Sequence, residues 1–260
     1  MVKKIEQLLA HIILLLAVIL AIAPILWLLA TSFKPVGEYY TAQLSHIWIP
    51  QQPTLANYRY IISTAGLAYM KNSLIIALCN LLIVLILGIP AAYSIARFKA
   101  ERLAFWILSQ RMLPPIACII PLFLLFSRLR LVDTHLSLIL TYCTFNLAFA
   151  TWLLKGFFEE FPQEIEEAAL IDGCSKVSAI VKVVIPIIAP GIVVACLFCF
   201  IFSWNEFLFA LVLSRETAKT VTVQLSAFQA PTKLMWGELS ALTMITLVPM
   251  ILGALTLQKY

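Results

Sequence analysis

Six long apolar runs, separated by shorter polar stretches, place the strongest limit on what this chain can fold into. A helix needs about 20 mostly apolar residues to cross the hydrocarbon core of a bilayer. Runs long enough to do so lie at 8–29, 73–96, 103–125, 136–157, 191–213 and 239–257. The sequence therefore predicts an all-α membrane protein with six transmembrane helices. An even number of crossings puts both termini on the same side of the membrane.

The amino-acid composition excludes a soluble globular fold. The chain has 62% hydrophobic and only 12% charged residues, and its mean hydropathy is +0.99. Polar side chains are too few to cover the surface of a soluble protein of 260 residues, so we expect the chain to lie in membrane lipid. The net charge of +5 indicates no nucleic-acid partner, because the basic residues are scattered and form no basic face interleaved with aromatic residues.

The first apolar run has the outline of a cleaved secretory signal, since Lys3 and Lys4 precede it. The run continues through Trp27 to Ala30, however, which is longer than the apolar region of a signal peptide. We therefore expect a retained first transmembrane helix.

No group of residues in the sequence has the spacing of a catalytic or metal site. There is no Gly-rich phosphate loop and no His-Glu-x-x-His motif, and the three histidines are far apart. Cys196 and Cys199 form a Cys-x-x-Cys pattern inside an apolar run without a nearby His or Asp, which favours packing over metal binding or redox chemistry. The six cysteines indicate no disulfide framework. The chain is therefore predicted to be neither an enzyme nor a metal-binding protein.

A charged stretch at about 159–190 lies between two apolar runs and indicates a helix, a turn and a second helix. Pro162 fits the opening of the first helix, and the positive end of the helix dipole favours the early Glu164 and Glu167. Gly173 is expected to break this helix, and Ser175 to cap the second one. The apolar residues of the second helix recur at helical spacing and precede the proline expected to end it: Val177, Ile180, Val181, Val184 and Pro186.

The same stretch carries a spaced motif. Glu167-Ala168-Ala169 is followed after three residues by Gly173 and, after nine more, by Val183-Val184-Ile185-Pro186. This pattern resembles the EAA loop of the permease subunits of bacterial ABC importers. Further motifs narrow the resemblance to the smaller of the two permeases of the maltose-type carbohydrate importers: Asn57-Tyr58, Asn72-Ser73, Met112-Leu113-Pro114-Pro115, Pro121-Leu122, Asp133-Thr134, Gly156-Phe157-Phe158, Pro162, Asp172 and Ser203-Trp204-Asn205-Glu206.

The resemblance implies a single transmembrane permease domain over 1–260 with the type I importer (MetI-like) fold, in the bacterial inner membrane. It implies three kinds of protein partner: a second homologous permease, two copies of an ATP-binding subunit and an external solute-binding protein. The partner ATPase binds ATP and Mg, so this chain needs no cofactor. Counts of Lys and Arg leave the orientation open, with nine in the segments assigned to the cytosol and eight outside. The resemblance places the N-terminus and the 159–190 loop in the cytosol.

By the same resemblance, the 159–190 loop couples the permease to the ATPase, and the external loop at 214–236 reaches toward the binding protein. The residues implied in coupling are Glu164, Glu167, Ala168, Ala169, Asp172, Gly173 and Pro186.

Polar residues inside the apolar runs are the candidates for a solute path. Ionisable groups are costly in lipid and usually face a cavity or a partner. Arg111 and Glu206 therefore either line the path or hold helices or permeases together, and a direct pair between them stays open. Trp204 is a possible stacking partner for a sugar ring, although in the maltose importer the sugar is bound chiefly by the other permease. Asn146 and Asn205 complete the set, and the more usual role of such residues is interhelical hydrogen bonding.

These features predict a permease subunit that forms half of the path for a sugar or sugar-like solute. One alternative is an ABC permease for a non-sugar solute such as phosphate or polyamine. Another is a secondary transporter subunit, which would need acidic residues near broken helices inside the membrane, where only Glu206 qualifies. A membrane enzyme is opposed by the missing catalytic constellation.

Overall fold

The computed structural model of the chain describes residues 2–40, 48–64, 66–230 and 233–257. It is helical apart from one antiparallel pair of two-residue strands, which agrees with the predicted all-α class. The first half of the chain forms α1 (Val2–Ser32), a 3₁₀ turn (Val36–Tyr40), α2 (Ala56–Ser63), α3 (Gly66–Arg97), α4 (Glu101–Ser109), a 3₁₀ turn (Gln110–Met112), α5 (Pro115–Arg128) and α6 (His135–Glu160). The second half forms α7 (Gln163–Ile171), α8 (Lys176–Ala179), a π-helical turn (Ile180–Val184), α9 (Ile185–Ile187), α10 (Ala189–Asn205), α11 (Leu208–Leu213), α12 (Val221–Ala227), β1 (Gln229–Ala230), β2 (Lys233–Leu234) and α13 (Trp236–Leu257).

Four helices among the described residues are long and apolar enough to cross a membrane without interruption: Glu6–Ser32, Gly66–Arg97, His135–Glu160 and Trp236–Thr256. Two further pairs of helices pass the same test only when each pair is taken together, and each pair is bent. Glu101–Met112 meets Pro115–Arg128 at 87°, and Lys176–Ile187 meets Ala189–Asn205 at 75°. The predicted total of six is reached when each bent pair is counted as one span.

Proline causes the first of these bends. The residue before a proline is driven out of the α region, so Leu113 and Pro114, which both precede a proline, have extended backbones with ψ of 127° and 126°. Pro115 then begins α5, where its missing N–H has no helical partner to lose. The predicted 191–213 span is also interrupted, because α10 ends at Asn205 and α11 resumes at Leu208.

The chain divides into two compact units, and the first comprises Met1–Ala68 and Gln224–Val248. Asn57 organises the end of α1 in this unit, since its amide donates to the carbonyls of Ser32 and Lys34, both at 2.9 Å. Trp27 packs edge-on against Trp236, with ring centroids 5.8 Å apart. Asn57 lies in α2. The predicted external connection at 214–236 is described except for 231–232.

The second unit comprises Tyr69–Val223 and Pro249–Tyr260. Its core has one apolar cluster near the start of α6, around Tyr142, and another near its end, around Phe158. Between them, Asn146 donates to Asn80 Oδ1 at 2.7 Å and to Ser203 Oγ at 2.8 Å, which joins α6 to α3 and α10. Ser203 Oγ also donates to Asn80 Oδ1 at 3.0 Å, so the three side chains form one buried interhelical network. The prediction of a single permease domain over 1–260 stays a prediction.

Candidate functional site

The turn at Gly173 gives the coupling loop, residues 159–190, a defined shape. The Cys174 N–H donates to the Ala169 carbonyl at 3.0 Å, and the Gly173 N–H donates to the Leu170 carbonyl at 3.1 Å. This pair of bonds is a Schellman motif, which needs a left-handed residue after the helix. Gly173 supplies it with φ of +91°. The predicted helix break at this glycine is confirmed.

The second helix of the loop begins as expected but does not end at Pro186. The Ser175 hydroxyl accepts the Ser178 N–H at 3.3 Å, which confirms the predicted N-cap. The helix then widens into a π-helical turn, and Pro186 falls in the first turn of α9. The helix is continuous through this point, and the wider turn before Pro186 makes room for its ring. The prediction that Pro186 ends the helix is wrong, because the chain turns at Ile188 instead.

Several apolar side chains of the loop face outward. Val184 is buried, but Val177 and Val181 are 71% and 55% exposed. Ile171, at the end of α7, is 86% exposed. We call Ile171, Val177 and Val181 the exposed apolar set. Exposed apolar side chains that lie close together in the sequence suit contact with a protein partner or with lipid.

The acidic residues of α7 fall into two groups. Three of them are exposed: Glu164, Glu167 and Asp172. Of the two neighbouring alanines, Ala168 is exposed and Ala169 is buried. Glu166 is also buried and was not among the predicted coupling residues. Its carboxylate accepts a hydrogen bond from Arg97 Nε at 2.9 Å, and the Tyr93 hydroxyl donates to its other oxygen. The signal for it in the sequence is its spacing of three from Ala169, which puts both on one helix face.

A second ion-pair cluster joins α4 to α6. Lys155 Nζ lies 3.0 Å from Glu101 Oε1 and 2.7 Å from Glu159 Oε1. Lys155 is buried, whereas both glutamates are more open. Charged side chains therefore hold α4 and α6 together next to the coupling loop.

Three of the five predicted path residues line one cavity of about 690 Å³: Arg111, Asn205 and Glu206. Arg111 lies between the rings of Phe149 and Phe202, with its guanidinium carbon 4.7 and 4.4 Å from their centroids, and it donates to the Phe145 carbonyl at 3.3 Å. The Glu206 carboxylate accepts the N–H groups of Phe209 and Ala210 at 3.0 and 3.1 Å.

Arg111 and Glu206 form no ion pair with each other in the described part of the chain. Arg111 instead joins the 3₁₀ turn after α4 to α6, through its hydrogen bond to the Phe145 carbonyl. Glu206 caps the start of α11. Both side chains also lie at the cavity wall.

The other two predicted path residues, Asn146 and Trp204, lie in the core rather than at the cavity wall. Asn146 belongs to the hydrogen-bond network with Asn80 and Ser203. Trp204 is buried and stacks on Phe200, with centroids 5.5 Å apart and planes 20° apart. A direct contact of either side chain with a solute would need a rearrangement of this core.

A hydrogen-bonded loop lies at the other end of α6. The Asp133 carboxylate accepts four backbone N–H groups, from Arg215, Glu216, Thr217 and Ala218, at 2.8 to 3.3 Å. Burial by itself raises the pKa of Asp133, but these four N–H donors outweigh it and lower the pKa to about 2. We call residues 214–221 the Asp133-bound loop.

Two residues at the start of α3 bind the same loop. The Asn72 amide donates to the carbonyls of Thr217 and Lys219 at 2.9 and 3.0 Å, while His135 Nε2 lies 2.9 Å from Asn72 Oδ1. Ser73 Oγ accepts the Val221 N–H at 2.9 Å. Asn72-Ser73 and Asp133-Thr134, two of the motifs noted in the sequence, thus meet at one loop.

Comparison with known proteins agrees with this architecture. Residues 84–260 match the family model described as "Binding-protein-dependent transport system inner membrane component". The chain is 32% identical to the trehalose/maltose transport system permease protein MalG of Thermococcus litoralis, over 98% of this chain and 95% of that protein. It is 33% identical to the sulfoquinovosyl glycerol transport system permease protein SmoH of Agrobacterium fabrum, over 87% and 80% of the two chains.

Among solved structures, the chain resembles one in the crystal structure of a bacterial ABC transporter involved in the import of the acidic polysaccharide alginate. The TM-score is 0.80 over 99% of this chain and 97% of the other. At 22% identity this likeness concerns the fold alone. The family match covers most of the chain and agrees with the bent-helix architecture and the coupling loop. The chain therefore belongs to the inner membrane components of binding-protein-dependent transport systems, as a multi-pass permease of the ABC importer class.

Proposed function

We propose that this chain forms half of the translocation path for a sugar or sugar-like solute and couples it to ATP hydrolysis through residues 159–190. The rigid turn at Gly173 with the exposed apolar set beside it carries the proposal. Two backbone hydrogen bonds give the Schellman turn a defined geometry. Outward-facing isoleucine and valine side chains suit a cleft in a partner protein. The carbohydrate relatives support the class of solute.

The proposed assembly contains a second homologous permease, two copies of the ATPase and an external binding protein. ATP and Mg belong to the ATPase, and this chain contributes neither a catalytic group nor a cofactor site. Exposed apolar side chains run the length of α1, among them Leu20 at 74% exposure, and these suit lipid or the second permease. The coupling loop faces the cytosol in this arrangement.

In the proposed cycle, closure of the ATPase dimer draws the coupling loops of the two permeases together. The permeases then rock from an inward-facing to an outward-facing state and receive solute from the binding protein. The cavity beside Arg111 suits a polyhydroxylated solute, because aromatic rings flank the guanidinium donors and the Asn205 amide lies on the same wall.

One observation favours a second candidate, a non-sugar anion such as phosphate. Arg111 puts a cation at the cavity wall, and its hydrogen bond goes to a carbonyl rather than to a carboxylate. A guanidinium with free donors binds phosphate or carboxylate oxygens well.

The reconstituted complex with its binding protein distinguishes these candidates. We expect ATP hydrolysis to be stimulated by at least one sugar, glycoside or polyol from a panel, and not by phosphate or a polyamine. Stimulation by phosphate alone would replace the sugar proposal with the second candidate. Val177→Asp, which puts a charge into the exposed apolar set, is expected to prevent co-purification of the ATPase. Arg102→Gln, at an exposed position on α4, is the matched control and should leave it unchanged.

A further inference from the structure

The coupling helix α7 is joined to α3 by a buried ion pair. Glu166 and Arg97 have side chains that are 9% and 12% exposed, with Nε and Oε2 2.9 Å apart. The Arg97 guanidinium also packs against the rings of Tyr93 and Phe161, at 5.6 and 5.5 Å from their centroids, and donates to the Phe158 carbonyl at 3.3 Å. The pair therefore contacts α3, α6 and α7 at a single point.

Stability alone does not account for this pair. A buried ion pair loses most of its Coulomb gain to desolvation, and well-packed apolar residues in its place are often as stable or more so. Arg97 Nη2 is in addition buried without an acceptor among the described residues. Such a pair fixes the geometry between the helices that carry it. Separating the two side chains would leave a buried charge without a partner, which is strongly destabilising.

The helix that carries Arg97 leads to the loop at the other end of the unit. α3 is helical throughout from Gly66 to Arg97, with Pro90 inside it. Asn72 and Ser73, near its start, bind the Asp133-bound loop. From Asn72 to Arg97 the helix spans about 37 Å at 1.5 Å per residue. A single helix thus contacts both loops, one through an ion pair and the other through hydrogen bonds.

We propose that Arg97 and Glu166 are positioning residues that make α3 follow the movement of α7, so that displacement of the coupling loop reaches the Asp133-bound loop. This inference rests on the proposed function, because it assigns a mechanical path within the coupled transporter. An energetic coupling between the two sites is the measurement that demonstrates such a path.

The test measures solute uptake per ATP hydrolysed in the complete complex. Arg97→Gln and Glu166→Gln are expected to assemble with the ATPase and hydrolyse ATP but to transport about tenfold less solute per ATP, a typical size for coupling between sites. The double variant with Arg97→Glu and Glu166→Arg, which reverses the pair, should recover part of this ratio. Arg102→Gln is the matched control and should behave as the wild type.

A normal uptake ratio in the assembled Arg97→Gln and Glu166→Gln complexes would overturn the proposal, as would a reversed pair that performs no better than the single variants. Tyr93→Phe decides the case if those variants do not assemble. It keeps the ion pair and the ring but removes one hydrogen bond to Glu166, and it should lower the ratio by less than the loss of the ion pair does. A wild-type ratio in Tyr93→Phe would then overturn the proposal.

Failure of the proposed function has a different outcome. In that case the ATPase would not co-purify with the wild-type chain, or Val177→Asp would not affect its association. If the wild type couples normally and Val177→Asp blocks assembly while Arg97→Gln transports normally, the positioning role alone is rejected.

Discussion

The coupling loop and the Asp133-bound loop lie at opposite ends of α6, about 39 Å apart at 1.5 Å per residue of helix, and they are held in different ways. The coupling loop is fixed by side chains, through the Glu166–Arg97 pair and an apolar cluster that includes Phe158 and Val184. The Asp133-bound loop is fixed through its backbone, by the Asp133 carboxylate, the Asn72 amide and the Ser73 hydroxyl. The first arrangement suits a part that moves as one body, and the second leaves the exposed side chains of residues 215–217 available to a partner.

Membrane sidedness gives the largest expected contrast between the two loops. In a variant without native cysteines, Val177→Cys should be labelled by an impermeant thiol reagent only in inverted vesicles, and Glu216→Cys only in intact cells. Both positions are exposed, so access depends on the side of the membrane. Labelling of Val177→Cys in intact cells would reverse the proposed orientation.

Gly173 provides the next test, since its φ of +91° disfavours most side chains. A left-handed conformation costs about 1–2 kcal/mol for an ordinary residue and more for a β-branched one, so Gly173→Val should reduce binding-protein-stimulated ATP hydrolysis by roughly tenfold or more. The added side chain meets open space, so the effect comes from the backbone.

Gly173→Asn is the matched variant, because asparagine tolerates the left-handed region. It should retain most of the stimulated hydrolysis. Gly156→Ala, inside α6, also adds a Cβ in open space and should behave as the wild type. Equal losses in all three variants would mean that the turn at Gly173 has no special part in coupling.

Loss of the Asp133 carboxylate should loosen the Asp133-bound loop without disturbing the coupling loop. A hydrogen bond to a charged acceptor contributes about 1.5–3 kcal/mol, so Asp133→Ala should increase amide hydrogen exchange at 215–218 by about tenfold or more. Glu216→Ala is the control, because the backbone N–H of residue 216 is unchanged. Unaltered exchange in Asp133→Ala would show that the loop is held by other contacts.

The pH dependence of this loop follows from the lowered pKa of Asp133. The unfolded carboxyl has an ordinary pKa of 3.8, and the folded one a pKa of about 2. A depressed pKa stabilises the folded form above the unfolded value, and that contribution is lost as the pH falls from 3.8 through about 2. The protection at 215–218 should therefore be constant at neutral pH and decrease only in this acidic range.

The smallest expected effect concerns the buried hydrogen-bond network at the middle of α6, between the two loops. Asn146→Ala removes the donor to Asn80 and Ser203 and should lower the stability of the unit by about 1–3 kcal/mol, measured as a reduced melting temperature. Asn205→Ala, at the cavity wall, should leave the melting temperature unchanged and slow uptake. A lowered melting temperature in Asn205→Ala and slowed uptake with an unchanged melting temperature in Asn146→Ala would instead assign the solute contact to Asn146.

Much of this architecture follows from local sequence. The apolar runs predict the membrane helices because bilayer thickness sets their length. Gly173 and Ser175 predict the turn and the cap because these depend on one or two residues and their immediate neighbours. The order of the motifs also identified the family before any geometry was known.

Local reasoning failed where a long-range contact or a neighbouring turn changed the outcome. Pro186 does not end its helix, because a π-helical turn precedes it. Trp204, a polar-tipped residue in a suggestive motif, packs into the core against Phe200. Glu166 and Glu164 are both glutamates on α7. Only the contact of Glu166 with Arg97 on α3 distinguishes the two.

The sequence by itself determined the membrane class, the helix-turn-helix of the coupling loop and the membership of the permease family, since each depends on composition or on residues close together in the chain. Only the tertiary structure decided which polar groups meet. Arg97 and Glu166 are 69 residues apart, and Asp133 is more than 80 from the loop it holds. No local pattern encodes such pairings, because they depend on how helices pack after each has formed.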